Sequence, residues 1–388
     1  MTQKPRHILF AYLNAFSQMG GIQQYNKAFM QAGHTVMGVD FHATSVKDHQ
    51  ADVDCRYIPS EQVDCFAGNK LRFLLSTLNR ARRTDILVLG HINLALLGVL
   101  IKLLFPNKAI WLVVHGIEVW HGNLSRVQQV LLGKADRILS VSEFTKNTVV
   151  MQHDISPEVF TIFPNTLDPY FSLPRALQKP AYLLEKYGIS PQQPVVFSLA
   201  RLSTTEKFKG YDNVLKALSI LKKEKRKMVY LLGGKAQPEE RERIEGLVQE
   251  YDLEGQVILT GFIAEQEIQA HFLLADVFVL PSKKEGFGIV FIEALACGLQ
   301  VIAGNKDGSV EALVGGELGT LVNPDDIQEI GKAIRENIGV PLSPNHKQVL
   351  QSEVVAHFGF EQYVERWKRL LEAPGAVQAS PPVIPVGN

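Results

Sequence analysis

The sequence predicts an α/β protein built from two doubly wound, Rossmann-like domains facing each other across a cleft. Three observations predict it. Short apolar runs alternate with helix-period segments, the alternation breaks once at a Pro-rich stretch, and it then starts again. Strict strand–helix alternation demands a parallel sheet, because each crossover needs a helix to return the chain and so covers the sheet on both faces. The length of 388 residues agrees with two domains of ordinary size.

The strands come first in that argument. His7–Leu13, Val36–Asp40, Asp85–Gly90, Ala109–His115, Arg137–Ser142 and Val159–Phe163 read as buried strands of the first half. Helical patterns lie between them, including Ile22–Ala32 and the segments 93–104, 125–134 and 143–152. Pro164, Pro169, Pro174, Pro180, Pro191 and Pro194 then punctuate a linker. In the second half the strands are Val195–Ala200, Met228–Leu232, Val257–Thr260, Val277–Leu280, Val301–Ala303 and Thr320–Val322. Tyr211, Val214, Leu215, Leu218 and Leu221 mark the apolar face of a helix between the first two of these. The expected boundaries are 1–168 and 169–355, then 356–372 and a Pro-rich tail, 373–388, with a composition that favours disorder.

Composition narrows the class. Apolar residues make up 46% and charged residues 21%, and the formal net charge is zero, so nothing advertises a nucleic-acid partner. Residues 1–168 carry +3 and 169–388 carry −3, a difference within ordinary scatter. Cys55, Cys65 and Cys297 have no metal-ligand spacing and leave one unpaired, which favours small buried thiols in a reducing compartment. The amino terminus shows no signal-peptide cleavage pattern, and the most apolar stretch, Ile92–Phe105, is broken by Lys102 and too short to span a bilayer. A cytoplasmic protein, at most peripheral on the inner face of the membrane, is expected. The segment 69–83 is basic and amphipathic, with Leu71, Leu74, Leu75 and Leu78 on one face. It suits an anionic membrane, although a core-packed helix with solvated arginines is the stronger reading.

Three features carry chemistry. Gly20 and Gly21 sit at a strand–helix turn, where backbone N–H groups can approach a phosphate, although a plain tight turn explains the pair equally well. Arg201 follows a strand, with Lys209-Gly210 eight residues on; two cations there can neutralise a departing diphosphate, and a solvated basic loop is the rival. Glu285 and Glu293 bracket a glycine-containing loop and the start of a helix after the strand Val277–Leu280. A carboxylate beside a phosphate site is costly unless hydroxyl donors satisfy it, so the pair points to a polyol ligand.

This set resembles the donor site of the family 4 GT-B glycosyltransferases. The stretches MGGIQQYNKAF (19–29), HGIEVW (115–120), VSEFTKN (141–147), PNTLDPYF (164–171), KGYDNVLKAL (209–218), GSVEALV (308–314) and GTLVNPDD (319–326) agree in order and spacing, and the match runs over about residues 6–372. The resemblance implies the GT-B fold and a retaining, metal-independent hexosyl transfer with no cofactor. Its donor is a nucleotide-diphosphate sugar, UDP-glucose expected first, with GDP-mannose and UDP-N-acetylhexosamine open. Its acceptor is a saccharide or lipid-linked saccharide, in envelope or exopolysaccharide synthesis. It also implies roles. Arg201 and Lys209 hold the diphosphate with the backbone of Gly20 and Gly21, Glu293 binds the ribose, and Glu285 the hexose hydroxyls. The amides of Gly286, Phe287, Gly288 and Ile289 line sugar and phosphate, and His115 faces the transferred sugar across the cleft. The base rests near Gly261, Phe262 and Ile263, Asn165 and Asp168 shape the interdomain wall, and Glu311 supports the loop at Gly308. The final helix, near Phe360–Leu371, packs back on the first domain.

Two departures and two rivals accompany that reading. The first helix meets Gly33-His34 early, as if about two turns were missing, and Asp52-Val53-Asp54 superficially resembles a metal-binding pair without the context for one. His91, His121 and Asn93 have no assigned role, though His91 ends a strand and suits an acceptor contact. A nucleotide-sugar epimerase shares the architecture, and a non-catalytic nucleotide-sugar-binding protein would share most of the donor site.

Overall fold

Along β1 (Arg6–Tyr12) the side chains alternate faces, so Leu9 and Ala11 enter one core while Phe10 and Tyr12 enter the other. The same logic builds the rest of a computed structural model that describes residues 6–224, 228–339 and 342–372. The tail 373–388 lies outside the described residues.

The chain divides into two units: one runs to Pro169 and takes in the chain from Phe360, the other is Tyr170–Gly359. In the first unit β1 is followed by α1 (Gly21–Thr35), β2 (Val39–Ser45), β3 (Val63–Cys65), α2 (Lys70–Ala81), β4 (Ile86–Leu89), α3 (Ala95–Leu104), β5 (Ala109–Val114), α4 (Ile117–Trp120), α5 (Arg126–Lys134), β6 (Arg137–Ser140), α6 (Glu143–His153) and β7 (Phe160–Ile162). These strands form a parallel sheet in the order β3-β2-β1-β4-β5-β6-β7. The second unit holds α7 (Ala181–Tyr187), β8 (Val195–Leu199), α8 (Tyr211–Lys223), β9 (Val229–Gly233), α9 (Pro238–Glu250), β10 (Val257–Gly261), α10 (Glu265–Leu274), β11 (Val277–Leu280), α11 (Ile289–Ala296), β12 (Gln300–Gly304), α12 (Ser309–Ala312), β13 (Thr320–Val322), α13 (Ile327–Gly339) and α14 (Pro344–Phe358). Its sheet is also parallel, in the order β10-β9-β8-β11-β12-β13.

The last helix, α15 (Phe360–Glu372), belongs to the first unit. Its Tyr363 and Trp367 are fully buried against α1 and the sheet: the Trp367 and Phe29 ring centres are 5.1 Å apart, and those of Tyr363 and Phe163 are 4.6 Å apart. Such a cluster adds ring-on-ring attraction to the burial of large apolar surface. Arg6 and Arg137 donate to the carbonyls of Leu371 and Leu370, at 2.7 and 2.8 Å, and so cap the negative end of that helix.

Four expectations shift. The second strand is not Val36–Asp40 but Val39–Ser45, and α1 does not stop at Ala32 but continues through Gly33 to Thr35. Gly33 is a packing residue rather than a stop: a Cβ there would meet the Phe41 ring at 2.4 Å. On α2 the buried stripe is Phe73, Thr77 and Ala81, which leaves Leu71 and Leu75 in solvent rather than sharing a covered face with Leu74 and Leu78. Cys55 is exposed and Cys65 half-buried, so only Cys297 is the buried thiol expected of all three.

Candidate active site

Open parallel sheets bind ligands at the carboxyl edge, where the strand order reverses and adjacent loops part. In the second unit the reversal lies between β8 and β11. The loop after β8 brings Arg201 and Lys209; the loop after β11 brings Glu285 to Gly288.

The two cations differ. Arg201 has a side chain 69% exposed and holds Glu206 at 3.0 Å. Lys209 is largely buried, and its Nζ donates to Glu285 Oε1 at 2.6 Å. Burial pulls the Lys209 ammonium down, but the charge and hydrogen bond of Glu285, with Glu206 and Asp307, outweigh it and raise its pKa. The ammonium is therefore fully charged at neutral pH. Both α8 and α11 begin at glycines, Gly210 and Gly288, with no side-chain cap. Asn69, Ser125, Ser142 and Ser343 instead cap α2, α5, α6 and α14 with their side chains. An uncapped start leaves positive helix ends able to receive an anion.

A second carboxylate shapes this loop, and no motif pointed to it. Asp307 is buried; its Oδ2 accepts the Glu285 amide at 2.7 Å and its Oδ1 the Ser309 amide at 3.0 Å. Burial pushes its carboxyl up to about 6, against the hydrogen bonds from Ser309 and Glu285. Gly308 donates to the Glu285 carbonyl at 2.8 Å, and a Cβ on it would lie 2.1 Å from the Gly286 oxygen. No other residue allows that approach. Asp-Gly before a short helix was the available signal.

The remaining residues of this unit take their places around that edge. Phe287 and Ile289 are buried, and Glu293 is buried in the second turn of α11. At the end of β10, Gly261 precedes an exposed Phe262 and a buried Ile263. Glu311 lies in α12, just after Gly308.

In the first unit the order reverses between β1 and β4. Gly20 and Gly21 start α1, again with no side-chain cap and no acid in the first turn. The loop before them is tied down by Asp48, also unsignalled: it accepts the amides of Ala15, Phe16 and Ser17 at 2.8, 3.2 and 2.9 Å and the Ser45 hydroxyl at 2.9 Å. Asn14 bridges the turn, donating to Gln18 Oε1 and accepting from Gln23, each at 3.0 Å.

His115 follows β5. Its Nε2 lies 2.9 Å from the Gly90 carbonyl, which can only accept, so Nε2 carries the proton and Nδ1 is bare. Tyr25 packs edge-on at 4.9 Å between ring centres, and His91 stands 6.3 Å away. His91, at the end of β4, accepts the Asn93 amide at Nδ1, 3.0 Å. Burial lowers both imidazoles to about 4. Both are neutral at pH 7. Asn165 is buried and Asp168 accepts the Tyr57 hydroxyl at 2.7 Å. Asp54 is engaged by Arg56 at 2.6 Å, and no cluster of three His, Cys, Asp or Glu residues able to hold a metal occurs among the described residues.

Residues 183–346 match the family model described as glycosyl transferases group 1. Over 260 residues, 64% of this chain, it is 30% identical to the GDP-mannose-dependent alpha-(1-6)-phosphatidylinositol monomannoside mannosyltransferase of Mycolicibacterium smegmatis, matching 65% of that protein. It is 30% identical over 206 residues to the serotype-specific mannosyltransferase WbdA of Escherichia coli, which covers 52% of this chain and 24% of WbdA. The chain thus spans less than two thirds of each of these relatives. Among solved structures it resembles Anabaena HepE in complex with UDP, with a TM-score of 0.75 and 19% identity over 94% of this chain and 99% of that one. The chain has the GT-B fold. Both halves therefore place their candidate residues at sheet edges of the same kind. No helix of the described residues is long and apolar enough to cross a membrane.

Proposed function

We propose that this protein is a retaining glycosyltransferase that moves a hexose from a nucleoside-diphosphate sugar to a saccharide or lipid-linked saccharide. The observation that carries the reading is the buried Lys209–Glu285 pair at the strand reversal of the second unit, with Arg201 on the same edge and uncapped helix starts at Gly210 and Gly288. A cation and helix N-termini suit a diphosphate, and a carboxylate among them suits sugar hydroxyls. Arg201 and Lys209 hold the diphosphate as charge collects on it, and in the first unit the backbone at Gly20 and Gly21 forms a turn of the kind that receives phosphate. Glu293 takes the ribose hydroxyls and Glu285 the hexose hydroxyls. The amides of Gly286 to Ile289 line the sugar, Phe262 with Gly261 and Ile263 receives the base, and His115 serves the transferred sugar as a neutral imidazole.

The donor is the finer point. UDP-glucose is the expectation from the motifs, whereas the two curated relatives named above are mannosyltransferases, the first dependent on GDP-mannose. GDP-mannose is thus the first donor to try and UDP-glucose the second. Incubation with a panel of labelled nucleotide sugars, following slow hydrolysis to free nucleotide, tests the class and names the donor. Release from none of them overturns the reading. Turnover should survive EDTA, because protein cations and helix ends supply the charge that a metal supplies elsewhere. Loss with EDTA and recovery with manganese would overturn that part.

Retention is the outcome the family resemblance implies, and the pairing of Glu285 bears on the route to it. A double displacement needs a free carboxylate beneath it, and Glu285 is tied to Lys209 at 2.6 Å. The departing phosphate then guides and deprotonates the acceptor on the same face. Proton NMR should show an α-glycoside from an α-linked donor, with no enzyme–sugar adduct in the mass spectrum; a β-product or a glycosylated peptide would sink the same-face route.

A further inference from the structure

Three neighbouring helices of the first unit, α2, α3 and α5, form one layer over the core that contains Leu89, Leu97, Leu112 and Leu131. Their outward faces are unusual in two independent ways. Leu71, Leu75, Leu96, Leu103 and Leu104 are between 56% and 71% exposed, and α5 adds the exposed Val127 and Val130. Scattered apolar residues on a surface are ordinary; concentration on three packed helices is not. The second feature is charge. These helices contain six Lys or Arg residues and no Asp or Glu, in a chain with 40 of each class. Two of the six are committed to acids elsewhere: Arg80 to Asp64 at 2.5 Å and Lys102 to Asp136 at 2.7 Å. Lys70, Arg72, Arg126 and Lys134 are exposed among the apolar side chains.

We infer that this layer is a docking face for an anionic bilayer surface. Leucines bury in the acyl boundary while the interspersed cations meet lipid phosphates, the combination that holds amphipathic helices in a membrane interface. The helix over 69–83 packs on the core through Phe73, Thr77 and Ala81, as expected, and its exposed side is continued by α3 and α5. Topology gives the face a use. A helix that follows a parallel strand starts at the carboxyl edge of its sheet, so the amino ends of α2, α3 and α5, with Lys70, Leu71, Leu96 and Arg126, border the edge that carries His91 and His115. Gln128 donates to Asn93 Oδ1 at 3.1 Å and joins two of those ends. An acceptor held by a lipid anchor would arrive beside that edge, a consequence that rests on the glycosyl-transfer reading; membrane binding itself does not.

Flotation of the full chain with vesicles, in the absence of donor and acceptor, tests the face alone. Vesicles of phosphatidylcholine and of phosphatidylcholine with about 30% phosphatidylglycerol provide the contrast. The protein should float with the anionic vesicles, and 0.5 M salt should weaken binding several-fold. Leu71→Glu/Leu75→Glu should reduce binding by about tenfold or more, and Lys70→Glu/Arg72→Glu should abolish the preference for phosphatidylglycerol. These positions are solvent-exposed, and an unchanged melting temperature confirms that the variants fold. Three results overturn the inference: no flotation with either vesicle, binding indifferent to both double substitutions, or a wild-type dimer in sedimentation that Leu71→Glu/Leu75→Glu dissociates. The last would make the face an interface between copies.

Discussion

The two carboxyl edges are built on the same kind of parallel sheet and yet hold different chemistry. In the second unit Lys209, Arg201, Glu285 and Glu206 put full charges at the strand reversal, and glycine-started helices add partial ones. In the first unit the edge centres on two neutral imidazoles, held near pKa 4, and a web of Asn and Gln amides, with Glu118 accepting the His115 amide beside them. Asp48, a buried carboxylate of this unit, is engaged by the amides of the loop after β1 and by the Ser45 hydroxyl. A single scaffold thus sorts function by loop content, with the cation-bearing edge suited to a diphosphate and the imidazole edge to uncharged sugar and acceptor.

The largest effects should come from breaking the charged edge. Arg201→Ala and Lys209→Ala should each lower turnover by roughly two to three orders of magnitude, the usual consequence of removing one preorganised charge stabiliser. They should differ in stability. Arg201 is exposed and its pair with Glu206 contributes little. Loss of Lys209 leaves Glu285 largely buried without its partner, at roughly 3 kcal/mol. Turnover with thermal melts separates the two, and near-wild-type rates in either variant would remove the leaving-group role. At the imidazole edge, His115→Ala should lose about a hundredfold in turnover while nucleotide affinity stays within about twofold, since no charge is removed.

A smaller effect sharpens the comparison inside the charged edge. Glu293→Ala should weaken binding of the free nucleoside diphosphate by about tenfold, because the ribose belongs to nucleotide and donor alike. Glu285→Ala should leave that affinity unchanged or improve it. Glu285 competes with the diphosphate for Lys209, so its removal frees a cation. Calorimetry that finds both variants equally weakened would refute this division.

How much of this was legible depended on whether the determinant was local. The strand β5 and the helix face Tyr211, Val214, Leu215, Leu218 and Leu221 follow from periodicity, and the structure buries all five of those residues. Glu285 and Lys209 were legible as types at a strand end, but not as partners, because 76 residues separate them. Asp48 and Asp307 were missed for the same reason: each accepts backbone amides of a distant loop, and although Asp-Gly before a short helix hinted at a turn at Asp307, neither residue shows that reach in the sequence. The strand β3, three residues long, is too short to show a period. Gly33 misled because its missing side chain answers Phe41 on another element rather than its own helix. The outward turn of Leu71 and Leu75 depends on which stripe of α2 the sheet accepts, and Phe73 took that place.

The smallest predicted effect is a divergence of the two units with pH. His91 and His115 have folded pKa values of about 4, against 6.5 when free, chiefly through burial. Between those values the unfolded chain binds more protons, so the first unit gains stability as pH rises and loses it as pH falls from about 6.5 towards 4. Asp307 behaves oppositely. Its folded pKa of about 6 lies above the free 3.8, so the folded state binds the extra proton, and that contribution is lost as pH rises through 6. Acidification from pH 7 to 5 should therefore loosen the segment 86–118 around the histidines and tighten the segment 281–312 around Asp307. Amide exchange read peptide by peptide, corrected for the intrinsic pH dependence of exchange, resolves the two. Asp307→Asn should abolish the second response and leave the first, while His91→Asn should shrink the first and leave the second. Protection that moves in the same direction in both segments would show that one global transition governs the chain and that these buried groups do not set its local response.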